Sequence, residues 1–119
     1  MKGHNCVASG LLLKLTDMMK LGCFYLAEGF ICGQQVFDSD WTKQTFTTRV
    51  DLHEHFFSGG YGYLWKIGGN GQIYRATGVF GQDTPIIPSE EIVIGYQCRE
   101  GSKSKILQEK LRKEVFSII

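Results

Sequence analysis

The fold is decided by residues 63–76, which read YLWKIGGNGQIYRA. Two runs rich in aromatic and β-branched residues flank the glycine-rich segment 68–71. Its Asn70-Gly71 pair tolerates the positive backbone φ angles that a tight turn between antiparallel strands requires. Along the first run, every second side chain from Tyr63 to Ile67 falls on one face of the strand. We therefore predict a β-hairpin at the centre of the chain.

Strands are also predicted on both sides of this hairpin. Residues 44–57 are rich in Thr, Val and Phe, and their side chains alternate as in a half-buried strand. Residues 92–96 form a short apolar run that suits a buried strand. Residues 23–26 and 30–32 are strand-like, with glycines beside them. Residues 79–90 carry both prolines, which favours a loop.

Amphipathic helices are predicted at the two ends of the chain. Residues 6–20 repeat Leu and Met at spacings of three and four, with Asn5 as the N-cap and Gly22 as the end. Residues 102–117 combine an apolar stripe with charge pairs at i,i+4. Asp38-Ser39-Asp40 favours a turn. The prediction is one α+β domain over 1–119: a mainly antiparallel sheet of about five strands, with both helices on one face.

The overall composition narrows the class of protein. The chain has 119 residues with 13 basic and 12 acidic side chains, so it lacks the concentrated basic surface that general nucleic-acid binding requires. No apolar stretch approaches the roughly 18 residues of a membrane span. The four cysteines form no C-x-x-C pair, and no export signal is evident. We expect a cytoplasmic protein with free thiols, no cofactor and no membrane association.

The leading hypothesis is a non-enzymatic binding or regulatory domain. Two short helices can cover only one face of a five-stranded sheet, so we expect the other face to present aromatic side chains. The glycine-rich loop 58–62 would lie beside them. The predicted contact residues are Tyr61, Tyr63, Trp65, Tyr74 and Arg75. They suit a partner protein or a small-molecule ligand. A homodimer is also expected, because exposed sheet edges pair readily with a second copy.

The alternative hypothesis is a cysteine-dependent hydrolase or acyltransferase. Cys6 would lie in the first turn of the predicted helix, where the helix dipole stabilises a thiolate. His53 or His55, on a later strand, would be the base, which is the chain order of papain-like hydrolases. Residues 61–78 resemble the strand-turn-strand of NlpC/P60-type peptidases. In that family a histidine begins the first strand, and Gly60-Tyr61 stands there in this chain.

A zinc site is a further alternative. His4 with Cys6, and His53 with His55, form two i,i+2 pairs that would make a tetrahedral site if they met, with Cys32 as a spare ligand. The spacing matches no recognised zinc motif. No metal is therefore predicted.

Overall fold

The structure is a computed structural model that describes residues 11–52, 59–78 and 81–97 and five residues further on. The five C-terminal residues are all helical: Ile106, Glu109, Lys110, Lys113 and Glu114. They lie within 102–117, where the sequence predicts a helix. The described chain combines helices with antiparallel sheets, which confirms the predicted α+β class.

The described elements follow one another in a simple order. Helix α1 (Leu15–Leu26) precedes a two-stranded ribbon of β1 (Phe30–Ile31) and β2 (Gln34–Gln35), and helix α2 (Ser39–Thr45) follows the ribbon. The rest is a six-stranded antiparallel sheet whose strands lie side by side in chain order. Its strands are β3 (Val50–Leu52), β4 (Gly59–Tyr61), β5 (Lys66–Gly68), β6 (Ile73–Thr77), β7 (Asp83–Ile87) and β8 (Ile92–Val93).

The central hairpin is confirmed. Strands β5 and β6 pair in antiparallel register, with Ile67 opposite Tyr74. The turn between them places Asn70 at φ 56° and Gly71 at φ 90°. Both residues therefore adopt the left-handed conformation for which the Asn-Gly pair is suited.

Helix α1 differs from its prediction. It begins at Leu15 and continues to Leu26, so the predicted end at Gly22 and the predicted strand at 23–26 are wrong. The predicted N-cap, Asn5, lies outside the described residues. The last two turns of α1 contain aromatic residues that suit a strand by propensity, but their contacts with the sheet favour the helix.

Two glycines explain how α1 lies against the sheet. A Cβ atom added to Gly22, inside the helix, would lie 2.5 Å from Cγ1 of Val93 on β8. A Cβ atom added to Gly95 would lie equally close to Cγ of Met19 on the helix. The helix contributes Gly22 and the segment after β8 contributes Gly95, and neither residue has a side chain. Helix α1 can therefore pack directly on β7 and β8.

The segment after the ribbon also differs from its prediction. Asp38-Ser39-Asp40, predicted as a turn, begins α2, and the Asp38 carboxylate accepts a hydrogen bond from the Asp40 N–H at 2.9 Å. Aspartate and serine favour both turns and helix N-caps, so their presence does not separate the two. Of the strand predicted at 44–57, only Val50–Leu52 is a strand among the described residues.

Strand β7 overturns the predicted loop at 79–90. All five of its residues are buried, and Pro85 lies within it. The missing N–H of Pro85 does not break the pairing with β8, because its carbonyl accepts a hydrogen bond from the Ile94 N–H at 2.9 Å. Burial on both sides of β7 also means that the prediction of one open sheet face is wrong at this strand.

Candidate interaction surface

The pairing register divides the sheet residues between two faces. One row crosses the sheet through Ile67, Tyr74 and Ile86, and α1 packs on this side, which we name the helix face. The neighbouring row contains Lys66 and Arg75 and lies on the opposite side, the far face. The predicted contact residues are therefore distributed over both faces of the sheet.

Trp65 lies on the helix face in an aromatic core. It is 3% exposed, and its ring lies 5.0 Å from the Tyr25 ring of α1 and 5.5 Å from the Phe46 ring. Its predicted exposure is wrong, because α1 and the segment after α2 cover this side of the hairpin. We name this group the buried aromatic cluster. Its members are Phe24, Tyr25, Phe37, Phe46, Trp65 and Tyr74.

Tyr74 belongs to the same cluster but is only half-buried. Its ring stacks on Phe46, with 3.8 Å between ring centroids and 5° between ring planes. Its hydroxyl donates to the Gly71 carbonyl at 2.8 Å, within the hairpin turn. Burial raises the pKa of the Tyr74 hydroxyl. One face of the Tyr74 ring is thus occupied by the protein itself, which limits the contact role predicted for it.

Arg75 lies on the far face in a buried polar network. It donates to Oδ2 of Asp83, and the Tyr96 hydroxyl donates to the same oxygen at 2.7 Å. Asp83 is fully buried and Arg75 is 5% exposed. Burial, and then the hydrogen bond to Asp83, raise the pKa of Tyr96. Because its guanidinium is buried in an ion pair, the predicted role of Arg75 as an exposed contact residue is not supported.

The remaining far-face groups are less buried. Tyr61 is half-buried and lies opposite Lys66 in the register. The pKa of Lys66 is lowered, first by burial and then by the positive charge of Arg75. The contact role predicted for Tyr61 stays a prediction.

Tyr63 and Leu64 occupy the turn between β4 and β5. The Gly62 N–H donates to the Trp65 carbonyl at 2.8 Å, and the Tyr63 N–H donates to the Thr45 carbonyl at 3.1 Å. A Cβ atom on Gly62 would collide with that same Thr45 carbonyl. The turn is therefore held against the end of α2 by its backbone, and only glycine permits this approach.

An exposed aromatic surface results from this contact between the turn and α2. The Trp41 ring of α2 stacks on the Tyr63 ring, with 5.5 Å between centroids and 9° between planes. Trp41 is 42% exposed and Tyr63 is 45% exposed. The Arg49 guanidinium carbon lies 5.1 Å from the Tyr63 centroid, within the range of a cation–π interaction. We name Trp41, Arg49, Tyr63 and Leu64 the exposed aromatic surface.

Leu64 has an unusual backbone geometry within this surface. Its φ angle is 67°, in the left-handed region, and its side chain is 61% exposed. For a residue with a Cβ atom this conformation costs about 1–2 kcal/mol. The turn thus presents a large apolar side chain to solvent in a conformation that glycine would adopt more readily.

The sequence prediction found one residue of this surface and missed the others. Tyr63 was among the predicted contact residues, whereas Trp41, Arg49 and Leu64 were not. The available signal for Trp41 was its place among polar neighbours, Asp40, Thr42 and Lys43. In a helix such neighbours indicate a tryptophan near solvent. Because the sequence predicts a turn at 38–40 and a strand from 44, it does not predict the helix α2 in which this pattern has meaning.

The residues of the hydrolase hypothesis, Cys6, His53 and His55, lie outside the described residues, so that hypothesis stays untested. Cys23 and Cys32 are free, exposed thiols. Within the described ranges, no group of three or more His, Cys, Asp or Glu side chains is placed to hold a metal ion. In the same part of the chain, none of the helices has both the length and the apolar character that a bilayer crossing requires.

No protein-family model matches the sequence, and no curated protein matches it significantly. Its function is therefore inferred from the side chains of the exposed aromatic surface.

Proposed function

We propose that this chain is a non-enzymatic binding domain that holds a partner protein on the exposed aromatic surface. The observation that carries the proposal is the stack of Trp41 on Tyr63, in which both rings remain nearly half exposed. Tryptophan, tyrosine and arginine dominate the binding free energy of measured protein interfaces. Here Tyr63 contacts both Trp41 and Arg49, and the exposed Leu64 follows it in the chain.

The rigidity of the surface supports the same proposal. The Tyr63 backbone is hydrogen-bonded to Thr45, and its ring contacts both the Trp41 ring and the Arg49 guanidinium. Side chains that are already ordered lose little conformational entropy when a partner binds. The left-handed backbone of Leu64 adds to this argument, because strained conformations concentrate at functional sites.

The position of these residues favours a protein over a small molecule as the partner. Small-molecule sites are concave and bury most of the ligand. Here Leu64, 61% exposed, lies in a turn, and Trp41 lies on the outer side of a short helix. A partner protein can supply the apolar surface that covers them. Homodimer formation, small-ligand binding and the cysteine hydrolase hypothesis stay predictions from the sequence.

Site-specific photo-cross-linking in the native cells tests the proposal. Benzoylphenylalanine replaces Leu64, and a matched control carries it at the exposed Gln72, in the turn at the opposite end of β5. We expect one discrete adduct from position 64, identifiable by mass spectrometry, and none from position 72. Adding Trp41→Ala to the position-64 chain should lower the adduct yield at least about fivefold, as for an interface hot spot.

Two results would contradict a partner-binding role for this surface. One is equal cross-linking from positions 64 and 72. The other is an adduct from position 64 whose yield does not change when Trp41→Ala is added. If an adduct forms, the purified partner should bind Tyr63→Ala about tenfold more weakly than the unmodified chain, while the circular dichroism spectrum stays the same.

A further inference from the structure

We infer that the partner docks through an acidic and apolar segment, which places a carboxylate on Arg49 and a large apolar side chain against Leu64. This inference rests on the proposed function, because it describes the partner of the same surface. Two observations support it. Arg49 is the charged residue of the exposed aromatic surface, and Leu64 and the Trp41 ring are exposed apolar groups of the same surface.

Arg49 is an exposed cation within the exposed aromatic surface. Its guanidinium lies over the Tyr63 ring, and its backbone N–H donates to the Tyr61 carbonyl. Within the described residues Arg49 makes no ion pair. Lys43, two residues from Trp41, forms an ion pair with Asp40 at 3.0 Å. Among the four residues that define the exposed aromatic surface, Arg49 is the charged one, so the surface as defined is cationic.

The geometry of Arg49 suits a carboxylate in particular. A guanidinium that lies over an aromatic ring keeps N–H donors at its edges, and these donors match the two oxygens of a carboxylate. Asp51 follows Arg49 by two residues and is exposed, yet it does not form an ion pair with it. An acidic side chain of a partner can therefore bind Arg49 without displacing an ion pair of the described chain.

The apolar side chains select against a ligand that is only anionic. The Trp41 ring, stacked on the same Tyr63 ring that Arg49 contacts, and Leu64, the next residue after Tyr63, both expose a large part of their surface. A phosphate-rich ligand would contact Arg49 but would leave this apolar surface in water, and phosphate recognition ordinarily uses clusters of arginine. A peptide with an aromatic or branched aliphatic residue next to Asp or Glu can contact both Arg49 and the apolar side chains of the surface.

Peptide selection with a charge reversal tests the inference. Phage-displayed random peptides of about 12 residues are selected on the full chain and, in parallel, on its Arg49→Glu variant. We expect peptides from the unmodified chain to carry Asp or Glu beside a large apolar residue. Peptides selected on Arg49→Glu should carry Lys or Arg at that position instead, because the surface charge has changed sign.

Affinity measurements with one selected synthetic peptide complete the test. Arg49→Gln should weaken its binding about fivefold, and Arg49→Glu more than about tenfold. Asp51→Asn, two residues further on in β3, is the matched control and should change the affinity less than about twofold. Thermal melting of each variant should match that of the unmodified chain, since Arg49 is exposed.

The outcomes separate this inference from the proposed function. One contradicting result is a set of peptides that lack an acidic residue and bind the Arg49→Gln variant as well as the unmodified chain, yet lose binding with Trp41→Ala. That result would contradict the inference of an acidic segment but would still support the proposed binding surface. A selection in which no peptide depends on Trp41 would contradict both.

Discussion

The two tryptophans of this chain lie in aromatic groups of similar chemistry but opposite exposure. Trp65 contacts Tyr25 and Phe46 and is 3% exposed, whereas Trp41 stacks on Tyr63 and is 42% exposed. The difference comes from what covers each group. Helix α1 lies over the first, and the described chain leaves the second open to solvent. Residue type alone therefore does not distinguish a buried aromatic side chain from an exposed one.

Two arginines of the described chain show the same contrast in exposure. Arg75 is buried and paired with Asp83, while Arg49 is exposed over the Tyr63 ring. Breaking a buried ion pair leaves an uncompensated charge, so Arg75 acts on stability. An exposed arginine contributes little to stability and is available for electrostatic recognition. Substitutions in the two regions should therefore separate effects on stability from effects on binding.

The largest expected effect is the loss of stability in Trp65→Ala. Removing a buried indole leaves a cavity between α1 and the sheet, and we expect the free energy of unfolding to fall by about 3–5 kcal/mol. Urea denaturation followed by circular dichroism measures it. The matched control, Trp41→Ala, should cost less than about 1 kcal/mol, because its ring is partly solvated. Equal losses in the two variants would mean that the contrast between the two groups is wrong.

A smaller effect is expected at the buried network of the far face. The Tyr96 hydroxyl is half-buried and donates to Asp83, and these two factors raise its pKa in the folded chain. A raised pKa means that folding favours the neutral hydroxyl. Its stabilising contribution is complete below the unfolded pKa of about 10 and is lost as the pH rises above that value. The free energy of unfolding should therefore decrease with pH in this range.

Tyr96→Phe isolates this contribution. At neutral pH the variant should be less stable by about 1.5–3 kcal/mol, the range for a hydrogen bond to a charged group such as the buried Asp83 carboxylate. Between about pH 8 and about pH 11 its stability should fall less steeply than that of the unmodified chain. The lowered pKa of Lys66 acts with the opposite sign in both proteins, so it cancels in the comparison. Parallel pH profiles for the two proteins would contradict a raised pKa of Tyr96 in the folded chain.

Local chemistry explains the parts of the fold that the sequence predicted well. The hairpin of β5 and β6 depends on Asn70-Gly71, whose tolerance of positive φ is a property of the two residues themselves. Strand β7 depends instead on tertiary burial, and Pro85 within it argues for a loop when only the sequence is known. Gly22 predicts a helix end when only the sequence is known, although it is the place where α1 touches β8.

The site was harder to predict for a related reason. Alternation along a strand shows which side chains share a face, and it correctly grouped Trp65 with Ile67. It does not show what covers that face. The contact of the 62–65 turn with α2 joins segments about 20 residues apart in the sequence. The spacing of apolar residues within either segment does not predict such a contact. The pairing of Trp41 with Tyr63 therefore became visible only in three dimensions.

The exposure of the two tryptophans is the central claim, and fluorescence quenching measures it directly. Trp65→Phe leaves Trp41 as the sole tryptophan, and Trp41→Phe leaves Trp65. We expect strong acrylamide quenching and red-shifted emission in the first variant, and weak quenching with blue-shifted emission in the second. Equal quenching in the two folded variants, or stronger quenching of Trp65, would contradict the division into a buried aromatic cluster and an exposed aromatic surface.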